Sequence, residues 1–287
     1  MKIQTYTIVV GNKACNARCP YCISKMTPNS NLAIDQVNWR NFKKGAQFAK
    51  LHNVSTVLLT GKGEPTLFPD LIASYLGRLE NYEFPFIELQ TNGIAFQIED
   101  YDQYLKSWYR KGITTIALSI GHYDDDKNNK LFNWRTKERS NLSQTIKELH
   151  EIGFSVRVSC LLLDGYIDSP EEISNLVNWA KKNEVEQLTV RELGSPEHGA
   201  DEETEEWVRH HKLYGSKVLD IQDHIKTSGT ELMKLVHGAT VYDFEGQNLC
   251  LTNCLTIDPN DETIRQLIFF PDGHLRYDWQ YKGAILI

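Results

Sequence analysis

Apolar and polar positions follow two periods along this chain, and the two periods alternate. Two-residue or continuous apolar runs predict strands over Tyr6–Val10, Val54–Thr60, Pro85–Thr91, Thr114–Ile120, Phe154–Leu163 and Val185–Leu193. Spacings of three and four predict helices over Ile34–His52, Pro69–Leu79, Tyr101–Tyr109, Leu142–Ile152 and Pro170–Lys182. Val37, Phe42, Ala46 and Phe48-Ala49 form the apolar stripe of the first helix. Gly153 closes the fourth, and Pro170 opens the fifth. Strand–helix alternation is the pattern of a parallel α/β sheet, and six units are too few for a full eight-stranded barrel. In parallel folds ligands sit beyond the carboxyl ends of the strands, so chemistry is expected in the segments that follow them. Beyond residue 225 the alternation stops, and Gln266–Tyr277 reads as a hairpin turning at Asp272-Gly273.

The fifth strand separates its faces, with Arg157, Ser159 and Leu161 on one side and Val156, Val158, Cys160 and Leu162 on the other. The polar pair should face the barrel interior, and Cys160 should be a core thiol packed with the valines. At the end of the sixth strand Arg191 and Glu192 point to opposite faces, and Arg191 is expected to enter the cavity. His122, Tyr123 and His198 lie on loops at the same end and are further candidates, although a lone loop histidine is usually solvated.

Composition narrows the class without naming a reaction. The 287 residues are 41% hydrophobic and 24% charged, as in an ordinary globular protein with one large domain or a barrel plus a small appendage. Net charge is −7 with no Lys/Arg-rich run, which argues against non-specific nucleic-acid binding but not against a nucleotide held by a few residues. Asp124–Asp126 and Asp201–Glu206 read as a solvated loop and the acidic first turn of a helix. Met1–Thr5 lacks a signal-peptide core, and no apolar run is long enough to span a bilayer. Six cysteines grouped for metal suit a reducing compartment, so a cytoplasmic protein is expected.

The densest chemistry follows the first strand, in Cys15-Asn16-Ala17-Arg18-Cys19-Pro20-Tyr21-Cys22. Three thiolates so close converge on one small volume, and an iron–sulfur cluster fits best because its irons take one thiolate each. Three ligands for four irons would leave one iron open. A zinc knuckle is the rival and needs a fourth ligand, the first histidine being His52; a disulfide would leave one thiol unpaired.

The Cx3Cx2C spacing, with an aromatic residue before the last cysteine, resembles the signature of the radical S-adenosylmethionine enzymes. The resemblance covers about residues 4–193 and implies a partial (β/α)6 TIM-type barrel over 1–225. Residues 226–287 would form a small C-terminal extension containing the β-hairpin. It also implies a [4Fe–4S] cluster on Cys15, Cys19 and Cys22. The open iron would bind S-adenosylmethionine, which is cleaved to a 5′-deoxyadenosyl radical that abstracts hydrogen from a substrate. Thr60-Gly61-Lys62-Gly63-Glu64-Pro65 resembles the family's Gly-Gly-Glu-Pro turn, with Lys62 in place of the first glycine of that pair. It implies cofactor contacts from Gly61, Gly63 and Glu64, and places the Lys62 cation beside the cofactor as a catalytic candidate with Arg191. Gln90-Thr91-Asn92-Gly93 resembles the family's Thr-Asn-Gly turn, so Thr91 and Asn92 join the set. Ser119 closes the fourth strand where relatives carry a serine near the ribose or carboxylate, and Arg157 takes the place of a lysine that meets the cofactor carboxylate. Gly165–Glu172 fits an adenine-contact motif, GxIxGxxE with Ser169 for the second glycine, which implies Ile167 and Tyr21 on the adenine.

Cys250 and Cys254 before the hairpin resemble the cysteine pair of the molybdopterin-precursor synthases' twitch extension, which holds an auxiliary cluster. No cysteine follows Cys254, so a second cluster would need Asp278, His274 or a substrate atom. The synthase's paired arginines are absent too, and its GTP reaction is not implied. No further domain is expected ahead of the first strand, so a fused leader-peptide module is not expected either. A small-molecule or nucleotide-like substrate is favoured, with a reducing partner such as flavodoxin or ferredoxin. A peptide maturase or glycyl-radical activase is the alternative, and a non-catalytic iron–sulfur or zinc protein the rival of a different class.

Overall fold

Strand and helix alternate in the computed structural model, which describes residues 2–27, 36–132, 141–194, 201–235, 238–253 and 263–287. β1 (Lys2–Val9), β2 (Thr56–Thr60), β3 (Phe86–Thr91), β4 (Thr115–Ile120), β5 (Ser155–Leu162) and β6 (Gln187–Glu192) pair in chain order, all parallel. α2 (Trp39–Leu51), α3 (Pro69–Leu79), α4 (Asp102–Arg110), α6 (Leu142–Ile152) and α7 (Pro170–Lys182) connect them. Short helices α1 (Ile23–Met26) and α5 (Asp125–Phe132) sit in the loops after β1 and β4, and α8 (Glu202–His211) and α9 (Ser216–Ser228) follow β6. This is a partial TIM-type barrel.

Local chemistry explains the helix ends. Asn38 accepts from the N–H of Asn41 at 3.0 Å and starts α2 there, later than the periodicity from Ile34 predicts; residue 34 lies outside the described residues. Ser169 accepts from the N–H of Glu172 at 3.2 Å and Pro170 opens α7. The acidic run is the first turn of α8, capped by Asp201.

Residues after 225 extend the same sheet on both sides. β9 (Gln247–Asn253) lies parallel to β6, and β10 (Thr263–Phe269) lies parallel to β1. β8 (Thr240–Phe244) and β7 (Gly229–Lys234) continue antiparallel beyond β9. β11 (Leu275–Arg276) closes the predicted hairpin on β10. The resulting order is β11-β10-β1-β2-β3-β4-β5-β6-β9-β8-β7. An aromatic seam fastens β10 in place: the Phe42 ring of α2 lies 5.4 Å from Phe269 of β10 and 5.4 Å from Tyr75 of α3, with Tyr6 of β1 alongside. All four are buried, each contributing about 1.5–3 kcal/mol through burial.

The two faces of β5 are sharply different. Val156, Val158, Cys160 and Leu162 are buried, whereas Arg157, Ser159 and Leu161 are half-buried on the inner face. The inner face of the barrel bounds a cavity of about 610 Å³. Threonines, glutamines and charged groups line much of it, and that composition sets up the site.

Candidate active site

The cysteine loop stands at the carboxyl end of β1, tied down by its neighbours. Ala14 O accepts from Glu64 N at 2.9 Å, and Arg18 N donates to Phe132 O at 2.8 Å. Cys15, Cys19 and Cys22 are all half-buried, and none is in a disulfide. The N–H of Ala17 donates to Cys15 Sγ at 3.4 Å, Asn92 Nδ2 lies 3.9 Å from the same sulfur, and the Tyr21 hydroxyl donates to Cys19. Burial first, then the neighbouring Cys22 and Cys15, push the Cys19 thiol up to about 12. A thiol beside two others is part of a donor set for a cation, which deprotonates its ligands on binding. Among the described residues no three His, Cys, Asp or Glu side chains are grouped as for a single metal ion. The donors present fit an iron–sulfur cluster, with one thiolate to an iron and N–H groups around the sulfur.

The turn after β2 braces this loop. Glu64 is buried, and its Oε1 accepts from Thr66 N at 3.0 Å, Thr66 Oγ1 at 2.7 Å and Thr91 Oγ1 at 2.6 Å. Its Oε2 accepts from Asn92 N at 3.0 Å. Burial pushes the Glu64 carboxyl up, and those four donors pull it part of the way back. The carboxylate expected to approach the cofactor is thus occupied in joining the ends of β2 and β3. Asn92 carries the link onward, donating from Nδ2 to Asn16 Oδ1 at 2.8 Å. The glycines serve the same packing: a Cβ at Gly63 would stand 2.1 Å from Ala14 O, and one at Gly61 would stand 2.9 Å from Gly63 O. Their bareness lets two loops touch, where the sequence suggested room for a ligand.

Lys62 is buried with its ammonium donating to Thr27 Oγ1 and lying 5.7 Å from the Trp279 ring centre. Burial, then Lys13, brings that ammonium down to about 8. Trp279 in turn donates to Gln266 Oε1 at 2.6 Å, so the residues after β11 help wall the cavity. Thr27, Trp279 and Gln266 carried no sequence signal of their own.

The remaining candidates divide between cavity and core. Arg191 lines the cavity, while Glu192 accepts from Gln222 Nε2 of α9 at 2.8 Å. Ser119 is exposed on the inner register row that continues through Ser159 and Thr189 to Cys250. Arg157 does not stand alone: its Nη2 donates to Glu88 Oε1, which also accepts from Gln90 Nε2 at 2.9 Å. Glu88 was missed, although the Phe86, Glu88, Gln90 alternation marks it as inner-facing. Ile167, in the loop after β5, is wholly buried in the main core, and its carbonyl accepts from Leu163 N at 3.2 Å. One expectation needs correction. His122 is fully buried, its Nδ1 accepting from Asp124 N at 2.9 Å and its Nε2 3.7 Å from Glu172, so it is no solvated loop histidine. Tyr123 donates to the same Glu172 at 2.8 Å. Tyr21 packs 5.7 Å from the Trp207 ring of α8. Cys250 and Asp278 both line the cavity; Cys254 and His198 lie outside the described residues.

Comparison with known proteins matches this geometry to a family. The Radical SAM superfamily model matches residues 9–180, more than half of the chain. No curated protein sequence matches. Among solved structures, Streptococcus suis SuiB bound to S-adenosylmethionine is 15% identical with a TM-score of 0.62, over 99% of this chain and 60% of that one. Native anSMEcpe with bound AdoMet is 12% identical with a TM-score of 0.58, over 99% of this chain and 77% of that one. Methylornithine synthase (PylB) is 15% identical at 0.52, over 90% and 74%. The chain spans about 60% of the length of the SuiB chains it matches. At such identities the likeness shows the fold, the partial TIM-type barrel. Among the described residues no helix is long and apolar enough to cross a membrane. The family model, the three-cysteine loop and the parallel barrel agree: the chain belongs to the radical SAM superfamily, whose enzymes use S-adenosylmethionine and a [4Fe–4S] cluster.

Proposed function

We propose that this chain is a radical S-adenosylmethionine enzyme whose substrate is a small molecule held in the barrel cavity. One observation carries the reading: the GKGEP turn that braces the cysteine loop also contributes Gly61 and Lys62 to the wall of a cavity of about 610 Å³. That volume suits a metabolite-sized ligand. When bound, the cluster and S-adenosylmethionine supply reductive cleavage to a 5′-deoxyadenosyl radical, which takes a hydrogen atom from the substrate. Cys15, Cys19 and Cys22 would hold the cluster, with Asn92 and Ala17 donating toward the Cys15 sulfur. Gly61, Gly63, Glu64 and Thr91 fix the turn against which the cofactor would lie, and Ser119 and Tyr21 would contact it from the ends of β4 and the cysteine loop. Lys62 and Arg191 reach the cavity and would orient the substrate, while the hydroxyls and amides around them replace its lost water. A reducing partner such as flavodoxin or ferredoxin would approach where the loop is exposed, at Lys13, Ala14 and Arg18.

A second reading, a peptide or protein substrate, is supported by fold likeness to SuiB bound to precursor peptide SuiA, 15% identical with a TM-score of 0.61 over 96% of this chain and 59% of that one. Anaerobic reconstitution with iron and sulfide, then dithionite and S-adenosylmethionine, tests the main reading. Release of 5′-deoxyadenosine that depends on all three cysteines is expected. Full iron loading without that product would refute it, and zinc in place of iron would return the zinc-protein rival.

A further inference from the structure

Charge balance singles out one residue of the cavity wall. Among the described residues that wall holds the cations Lys62, Arg157, Arg191 and Arg265 and the acids Glu88 and Asp278. Arg157 is paired with Glu88, and Arg191 and Arg265 each engage other groups. Asp278 accepts from the N–H of Gln280 at 2.6 Å. Lys62 is buried, and no carboxylate among the described residues lies within ion-pair distance of its ammonium. Its contacts are neutral: it donates to Thr27 Oγ1 and lies 5.7 Å from the centre of the Trp279 ring. An ammonium carries three N–H groups, and that hydroxyl, itself donating to Ile23 O, takes one of them.

The corner that holds Lys62 is fixed on every side by packing. Trp279 donates from Nε1 to Gln266 Oε1 at 2.6 Å, and its ring lies 5.6 Å from that of Phe270. Arg276 of β11 stands 4.9 Å over the same Phe270 ring, buried, with no hydrogen-bond partner for its Nε among the described residues. Thr27 ends α1, the short helix that starts at Cys22, and Gly63, next to Lys62, abuts the Ala14 carbonyl. Lys62 is thus held between the two ends of the cysteine loop, and Thr27, Gly61 and Trp279 share the cavity wall with it.

We propose that the Lys62 ammonium receives an oxyanion of the substrate, a carboxylate or phosphate, in the corner formed with Thr27, Gly61 and Trp279. This rests on the reading of the cavity as the substrate site of a radical enzyme, and adds the chemical class of the substrate. A buried charge without a counter-ion is costly, and a ligand that brings the opposite charge recovers that cost. Lysine suits the task as a compact point charge with N–H groups to spare for carboxylate or phosphate oxygens. Of its charged neighbours, Lys13 and Arg276 add to the positive field, and Cys22 is assigned to the cluster. Low-dielectric walls, here an indole and a phenyl ring, strengthen the preference for an anion over a neutral ligand of the same size.

Calorimetric titration of the anaerobically reconstituted protein tests this, with inorganic phosphate and succinate as probes and succinamide as the uncharged counterpart. At least one oxyanion should bind about tenfold or more tighter than succinamide, the scale of one charge-assisted hydrogen bond. In Lys62→Met that preference should vanish. The variant removes an uncompensated buried charge and should fold; Lys62→Gln is the second variant with the same expectation, and circular dichroism melts verify both. Whichever of phosphate and succinate binds tighter identifies the class of substrate anion. No preference for either anion over succinamide in the wild type, or an undiminished preference in a folded Lys62 variant, would overturn the proposal. The anion should also bind alongside saturating S-adenosylmethionine; displacement would assign Lys62 to the cofactor and overturn it too. Release of 5′-deoxyadenosine is scored separately, without a probe, so failure of the radical reading and failure of the anion site are told apart.

Discussion

Glu64→Gln keeps the shape of the brace between β2 and β3 and removes its charge. The wild-type carboxylate takes four hydrogen bonds, three on Oε1 and one, from Asn92 N, on Oε2. An amide has one acceptor oxygen. If that oxygen keeps the three donors, the new NH2 faces the Asn92 N–H, and two donors oppose each other in a buried site. A charge-assisted hydrogen bond contributes about 1.5–3 kcal/mol and an orphaned buried donor costs about 1–3, so with overlap the variant loses about 3 kcal/mol. At roughly 2 °C per kcal/mol for a chain of this size, the melting midpoint falls by about 6 °C. Scanning calorimetry of the cluster-free protein measures that shift. Iron content after reconstitution should fall with it, because Asn92 bridges to Cys15 and Asn16. A Glu64→Gln protein that melts with the wild type and loads iron fully would show that the carboxylate is no brace.

Two further outcomes follow from the same geometry. Gly63→Ala places a methyl 2.1 Å from the Ala14 carbonyl oxygen, so the cysteine loop must shift; iron incorporation should drop severalfold while the far-ultraviolet spectrum stays native, and full incorporation would refute the clash. Lys62→Met relieves a buried ammonium: with its folded pKa lowered to about 8 from 10.5, the unfolded chain binds more protons between those values, and wild-type stability rises with pH across that window. The variant should therefore be more stable than wild type below pH 8, on the order of 3 kcal/mol in the apo protein, with the gain fading toward pH 10.5. Urea titrations at pH 7 and pH 10 read the difference, and a constant difference would refute it.

Much of the barrel was legible because its signals are local. The six inner strands and their helices each carry their own period, and β5 shows its two faces in eight residues. The three-cysteine spacing is likewise a local mark. The pairing of β10 with β1 was not legible, since their register partners lie about 260 residues apart and nothing near Thr263–Phe269 names a distant neighbour. Glu64 shows the same limit: its position was readable, but its work depends on Thr91 and Asn92 arriving from another strand end. Burial of His122 follows from Asn128 and Glu172 closing over it, which a loop sequence alone does not reveal. Arg265 sits in a strand whose inward side could be assigned only once that strand had a place in the sheet.

The order of synthesis runs against the order of assembly at the barrel's edges. β1 is made before every other strand of this sheet, yet the strand that covers its outer side is made about 260 residues later. At translation rates of about 5–20 residues per second, that interval is roughly 10–50 s. Throughout it the nascent sheet presents an unpaired backbone flank on β1, and another on β6 until β9 emerges, the kind of surface that recruits other chains. The residues that follow β6 therefore cover both open flanks of the parallel strands, and a chain that stopped before β10 would keep Cys15, Cys19 and Cys22 beside an uncovered flank.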